Sequence, residues 1–168
     1  MVASVPIVLP CEVPSTRQAA WSSRSPRHAR EHQALIAVDT SVVVVAFASW
    51  HDGHSSARAA LSEAPQLPAH VALEVYSVLT RLPPPHRAAA TIVVDFLRDR
   101  FPQPLLSLPA SDHPGVLEEA STKGITGGAL YDALIAATAK RAGATLLTRD
   151  EQASRTYDAL RATFRLIR

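Results

Sequence analysis

From Leu35 onward, short apolar runs alternate with stretches of helical periodicity. Leu35-Ile36-Ala37-Val38 is a compact apolar run closed by Asp39, the pattern of a buried strand. Residues 42–47 carry two signals: their β-branching favours a strand, but the Thr-Ser link behind them lacks hairpin residues. Apolar spacing then predicts a helix over 54–63, with Asp52 or Ser55 as its cap. A second helix over 69–82 is stopped by Pro83-Pro84-Pro85. A third, over 86–101, has Ile92, Val93, Phe96 and Leu97 along one stripe. A brief strand is expected at 105–108, a helix over 114–123 ended by Gly124, and a helix over 129–142 ended by Gly143. Residues 144–148 read as a strand with Asp150 just beyond it, and 164–167 as a last strand. Strands alternating with helices predict an α/β fold, a small parallel β-sheet flanked by helices on both faces.

Before Leu35 the pattern fails. Pro6, Pro10, Pro14 and Pro26 interrupt every apolar run, and Ser22-Ser23-Arg24-Ser25-Pro26-Arg27 has a linker's composition. The expectation is a disordered or linker-like extension over 1–33 and one domain over 34–168. The apolar stretch from Val2 to Leu9 contains Pro6 and has no basic residue before it, so a secretory signal is not expected. No run approaches the roughly 20 apolar residues of a membrane helix, and Cys11 alone provides neither a disulfide nor a cysteine zinc site. A cytoplasmic protein with no membrane association is the expectation.

The pI near 9.0 invites a nucleic-acid reading that the distribution of charge does not support. Of 17 basic and 15 acidic residues, four arginines and two glutamates fall within 1–33, leaving 13 of each sign in the body. The basicity belongs to the extension.

Four carboxylates stand out in the body. Asp39 and Asp150 each follow a predicted strand, and ligand sites of open parallel sheets lie beyond the carboxyl ends of the strands. Glu74 falls between Val71 and Val78 on a helix face that should meet the core, and Asp132 shares a face with Ile135, Ala136 and Ala139. Each acid alone has a plainer reading: Asp39 as a helix cap, Glu74 paired with Ser77 or Arg81, Asp132 as a first-turn acid, Asp150 as a turn residue. Together, without a matching cluster of bases, they point to a shared pocket in which a hard cation offsets their repulsion.

The same residues resemble a known family. Ala37-Val38-Asp39-Thr40-Ser41 resembles the opening motif of PIN domains, and His54-Ser55-Ser56-Ala57 the start of the first long helix in VapC-like toxins. The stretch from Ala72 through Glu74 to Arg81 resembles the helix bearing the family's second acid. Tyr131-Asp132-Ala133-Leu134-Ile135-Ala136 resembles the third-acid helix, and Leu146-Leu147-Thr148-Arg149-Asp150 the strand and turn of the fourth. The likeness spans roughly residues 35–168. It departs from the family in the 1–33 extension, the Pro83-Pro84-Pro85 run and the scarcity of lysine (Lys123 and Lys140 only).

The resemblance implies a ribonuclease toxin of a VapBC toxin–antitoxin pair, using Mg²⁺ or Mn²⁺. It implies an acidic site of Asp39, Glu74, Asp132 and Asp150, with Asp39 and Asp132 as the safest direct ligands and Ser41 and Thr148 as supporting hydroxyls. It also implies a homodimer and a VapB-like antitoxin lying along an apolar groove. Tyr76, Leu79, Ile92 and Phe96 are more apolar surface than one side of a small sheet can cover, which agrees with such contacts. Arg81, Arg149 and Arg155 are candidate contacts to RNA phosphates.

Other readings are weaker. A catalytically silent PIN fold acting as a binding module is the main alternative. An aspartyl-phosphate phosphotransferase built on Asp39 wants a second acid where Ser41 stands. His51-Asp52-Gly53-His54 reads as an exposed helix entry rather than a metal clamp, and Ser41 lacks the glycines of a hydrolase elbow.

Overall fold

The computed structural model describes residues 35–168, so the expectation of an extension over 1–33 lies outside the described residues. Strand β1 (Ile36–Val38) leads through Asp39 straight into helix α1 (Thr40–Phe47). Helices α2 (His54–Leu61), α3 (Ala69–Arg81), α4 (Ala90–Arg100), α5 (His113–Thr122) and α6 (Ala129–Ala142) follow. Strand β2 (Thr145–Thr148), helix α7 (Glu151–Ala159) and strand β3 (Phe164–Leu166) complete the body. The sheet has the order β1-β2-β3, and both pairings are parallel.

The valine-rich segment after Asp39 is a helix, which resolves the ambiguity at 42–47. Val42, Val43, Val45 and Ala46 are all buried, and burying a valine side chain contributes about 1.5–3 kcal/mol. That outweighs the few tenths of a kcal/mol by which valine disfavours helix, of order ~0.5 per residue. The strand expected at 105–108 shrinks to a single parallel bridge, Pro68↔Leu106, beside a second at Ala37↔Gln66. Both extend the sheet past β1, but prolines at 65, 68, 104 and 109 lack the N–H that a longer ladder would need.

The third predicted helix begins later than expected, at Ala90 rather than His86, because the proline run ends in a turn through residue 86. Helix α7 is absent from the sequence reading. Its buried positions, Ala153, Thr156, Tyr157 and Leu160, recur at helical spacing behind the cap Asp150. Gly143 ends α6 as expected, in the left-handed region at φ 66°.

The core is built on β2, where Leu146 and Leu147 are fully buried between α6 and α1, with Val71, Val75 and Leu79 of α3 in the same cluster. Leu79 is therefore a core residue, and Phe96 packs edge-on to Phe47 with ring centroids 5.1 Å apart. Tyr76 and Ile92 stay exposed, at 40% and 55%. No helix among the described residues is long and apolar enough to cross a membrane.

Candidate active site

Parallel register brings the ends of β1 and β2 side by side: Val38 pairs with Leu147, so Asp39 and Thr148 come next to each other. The Asp39 N–H donates to Leu147 O at 2.8 Å, fixing that junction. The Asp39 side chain caps α1, with Oδ1 accepting the Thr40 N–H at 2.7 Å. Oδ2 accepts from Ser41 Oγ at 2.8 Å and from Thr148 Oγ1 at 2.6 Å. A hydroxyl has one hydrogen to give, so both are spent on Asp39, and the 3.3 Å approach of Ser41 Oγ to Thr148 Oγ1 carries no hydrogen bond. As acceptors the same hydroxyls take the backbone N–H groups of Arg149 (2.9 Å, to Ser41) and Asp150 (3.0 Å, to Thr148). Ser41 and Thr148 thus hold the first acid and the turn after β2 together.

Burial pushes the Asp39 carboxyl above its ordinary range, against the opposing pull of hydrogen bonds from Thr148, Ser41 and Thr40. Beneath it lies Tyr157, fully buried, its hydroxyl close enough to couple to Asp39. That hydroxyl closes no hydrogen bond of good geometry, and it is the one buried side-chain polar atom among the described residues left without a partner. Burial, then the Asp39 and Asp132 charges, drive its pKa strongly upward, so it stays protonated.

The other acids reach the same cleft from three helices. Glu74 projects from α3, and its Oε2 accepts from Thr40 Oγ1 at 2.7 Å, not from Ser77 or Arg81. Asp150 caps α7, its Oδ1 accepting the N–H groups of Gln152 (2.7 Å) and Ala153 (3.0 Å). Asp132 sits in the first turn of α6, half-buried, and has no hydrogen-bond partner among the described residues. Burial, then repulsion from Asp39, Asp150 and Glu74, pushes it up to about 7. The N-terminal ends of α1, α6 and α7 all carry one of these acids, and their dipoles offset part of the charge.

The cleft is about 660 Å³ and takes in all four acids, Thr40, Ser41, His51, Arg149, Glu151 and Gln152, with Val44, Val45 and Val78 as its apolar floor. Thr148 lies behind Asp39, fully buried. Arg81 and Arg155 are exposed and do not line the cleft; of the three arginines named from sequence, only Arg149 does. Sequence reasoning missed Glu151, a fifth acid whose only signal was its place beside Asp150. No three acids, histidines or cysteines among the described residues already close into a coordination shell. The hydrogen bonds explain the spacing: Asp39 and Asp150 are tied to helix N–H groups, and Glu74 to Thr40.

Comparison with known proteins agrees with this architecture. The PIN domain family model matches residues 36–159. Ribonuclease VapC40 of Mycobacterium tuberculosis is 50% identical over 133 residues, covering 79% of this chain and 99% of the relative. Ribonuclease VapC27 of the H37Rv strain is 43% identical over 129 residues, covering 74% of this chain and 91% of that protein. The crystal structure of FitAcB from Neisseria gonorrhoeae superposes with a TM-score of 0.58 at 22% identity, over 77% of this chain and 96% of that one, and so shares the fold. The chain belongs to the PIN-domain family and, within it, to the VapC-like ribonucleases.

Proposed function

We propose that the chain is an endoribonuclease dependent on Mg²⁺ or Mn²⁺, acting as the toxin of a toxin–antitoxin pair. One observation carries the metal dependence: four carboxylates line one cleft, and Asp132 among them has no basic partner among the described residues, burial and the three other acids pushing it up to about 7. The donors around it are hard oxygens, the chemistry of a magnesium or manganese site. Asp39 and Asp132 would hold the ion, with Glu74 and Asp150 completing the acidic set. A bound divalent ion supplies charge neutralisation at the phosphate and a lowered pKa for attacking water.

The chain's own groups do the rest. Ser41 and Thr148 hold Asp39 in one orientation by donating to Oδ2. Thr40 orients Glu74. Val44, Val45 and Val78 give the cleft an apolar side, and a less polar surround strengthens the charge interactions beside it.

On this reading the domain spans 34–168, following the linker-like composition of 1–33. The named relatives support an antitoxin partner. Exposed Leu73 and Tyr76 on α3 and Ile92 and Val94 on α4 are apolar surface of the kind a homodimer contact or an amphipathic antitoxin segment covers. The setting is the cytoplasm. The test is purified protein with RNA, with and without Mg²⁺ or Mn²⁺, beside an Asp132→Asn control. Metal-dependent cleavage lost in the control is expected. A folded wild type that leaves RNA intact at every metal concentration would favour the silent binding module.

A further inference from the structure

Arg149 is, among the described residues, the only lysine or arginine that lines the cleft. Among the described residues it forms no ion pair, although five acids share that cleft. Its side chain is instead seated on the entry to α2. Nη1 donates to Ser56 Oγ at 2.8 Å, and Ser56 Oγ donates to Gly53 O at 3.0 Å. The guanidinium lies close against Gly53: a Cβ at that position would come within 2.7 Å of Cζ and 3.2 Å of Nη1, and closer still to Nη2. Gly53 itself has an ordinary backbone, φ −80° and ψ 4°, so no turn requires glycine there. What the missing side chain provides is room for the Arg149 guanidinium, which a Cβ there would push aside. The Gly53 N–H is held in turn by His51 Nδ1 at 3.0 Å.

We propose that Arg149 is a pre-seated phosphate clamp for the RNA strand, and that Gly53 and Ser56 are its seat. The proposal rests on the ribonuclease reading above and names the residue through which that site grips its substrate. A polyanion entering a cleft of carboxylates needs a cation that the acids have not neutralised. A guanidinium fork meets phosphate oxygens with paired hydrogen bonds, and only one of its N–H donors is taken, by Ser56. Fixing it before the strand arrives removes much of the ordering cost of binding. Arg81 and Arg155, outside the cleft, have no such seat.

The test uses the full chain and a labelled single-stranded RNA of about 12 nucleotides and mixed sequence. Anisotropy in EDTA across a salt series reads binding, and initial rates with Mn²⁺ read KM and kcat. Arg149→Ala should weaken binding about tenfold and lower the slope of log K against log salt by about 0.7, one phosphate contact on a single strand. KM should rise more than kcat falls. Arg149→Lys should keep the salt slope and recover part of the affinity. Gly53→Ala should reproduce the Arg149→Ala defect with an unchanged melting temperature, and the double variant should be no worse than either. Arg98→Ala, an exposed arginine on α4, controls for loss of charge.

Wild-type affinity and salt slope in Arg149→Ala would overturn the clamp while leaving the ribonuclease reading standing. So would additive defects in the double variant, or a fall in kcat at constant KM. A wild type that neither binds nor cuts RNA would overturn both.

Discussion

The Thr148 hydroxyl donates to Asp39 Oδ2 at 2.6 Å, joining the last residue of β2 to the residue that follows β1. Thr148 Oγ1 in turn accepts the Asp150 N–H at 3.0 Å, so one buried hydroxyl serves two acids of the cleft. Thr148→Val keeps the shape but removes the donor and strands that N–H. The expected outcome is a loss of about 1–3 kcal/mol of stability by denaturant melts. Mn²⁺ affinity should fall by about 10- to 100-fold in a metal titration. Thr148→Ser should restore most of both; a valine variant that binds Mn²⁺ like wild type would show that Thr148 merely fills space.

Asp39 and Asp132 should respond differently to removal of their charge. Both Asp39→Asn and Asp132→Asn are expected to abolish cleavage. Asp132 has no hydrogen-bond donor among the described residues and is repelled by three acids, so Asp132→Asn should melt at or above the wild-type temperature in EDTA. Asp39 accepts from Thr40, Ser41 and Thr148. An amide there turns a donor toward donors, and Asp39→Asn should lose about 1–3 kcal/mol. Full ribonuclease activity in a well-folded Asp132→Asn protein would remove it from the site.

The metal-free protein should grow less stable as pH rises. Asp132 keeps its proton up to about 7 when folded, against an ordinary value of 3.8. Between those values the folded state binds more protons than the unfolded chain, so stability falls with rising pH. The contribution is complete below 3.8 and lost as pH passes 7, and the raised Asp39 acts in the same direction. Melting in EDTA from about pH 5 to about pH 8 should show this decline, and Asp132→Asn should flatten it. Saturating Mn²⁺ should reverse the trend, because ligands must lose protons to bind. Identical slopes for wild type and Asp132→Asn would place the coupling elsewhere.

Removing residues 1–33 should leave melting and cleavage unchanged, since β1 begins at Ile36 and the family match at residue 36. An insoluble or inactive truncated chain would move the domain boundary toward the N-terminus.

The cleft was legible in the sequence because its acids occupy positions with few physical uses. Asp39 and Asp150 follow strands, and parallel pairing of β1 with β2 brings such residues together. Asp132 stood out as a charge among alanines. The plainer reading of Asp39 as a helix cap proved correct. Asp150, read as a turn residue, caps α7 instead, and both acids also line the cleft. What stayed hidden depended on tertiary contact. The helical state of Thr40–Phe47 is set by burial in the core, chiefly against α2 and α3, which local propensity opposes. Helix α7 has a clear amphipathic period, but it is only nine residues long and mostly polar, and reading Asp150 as a turn residue hid the cap that starts it. The partner of Glu74 is 34 residues away, beyond any helical-neighbour rule.

The hydrogen bonds also divide the acids by how freely each carboxylate can turn. Asp39 and Asp150 are clasped by the N–H groups of α1 and α7, and neither can swing toward an incoming ion without fraying its own helix. Glu74 is restrained by a single hydroxyl, and Asp132 by no hydrogen bond among the described residues. The cleft therefore has a stationary jaw and a movable one. If the cleft takes a cation as proposed, the fixed pair would set where it sits and Glu74 and Asp132 would adjust to its radius, so that tolerance of both Mg²⁺ and the slightly larger Mn²⁺ would be a property of α3 and α6.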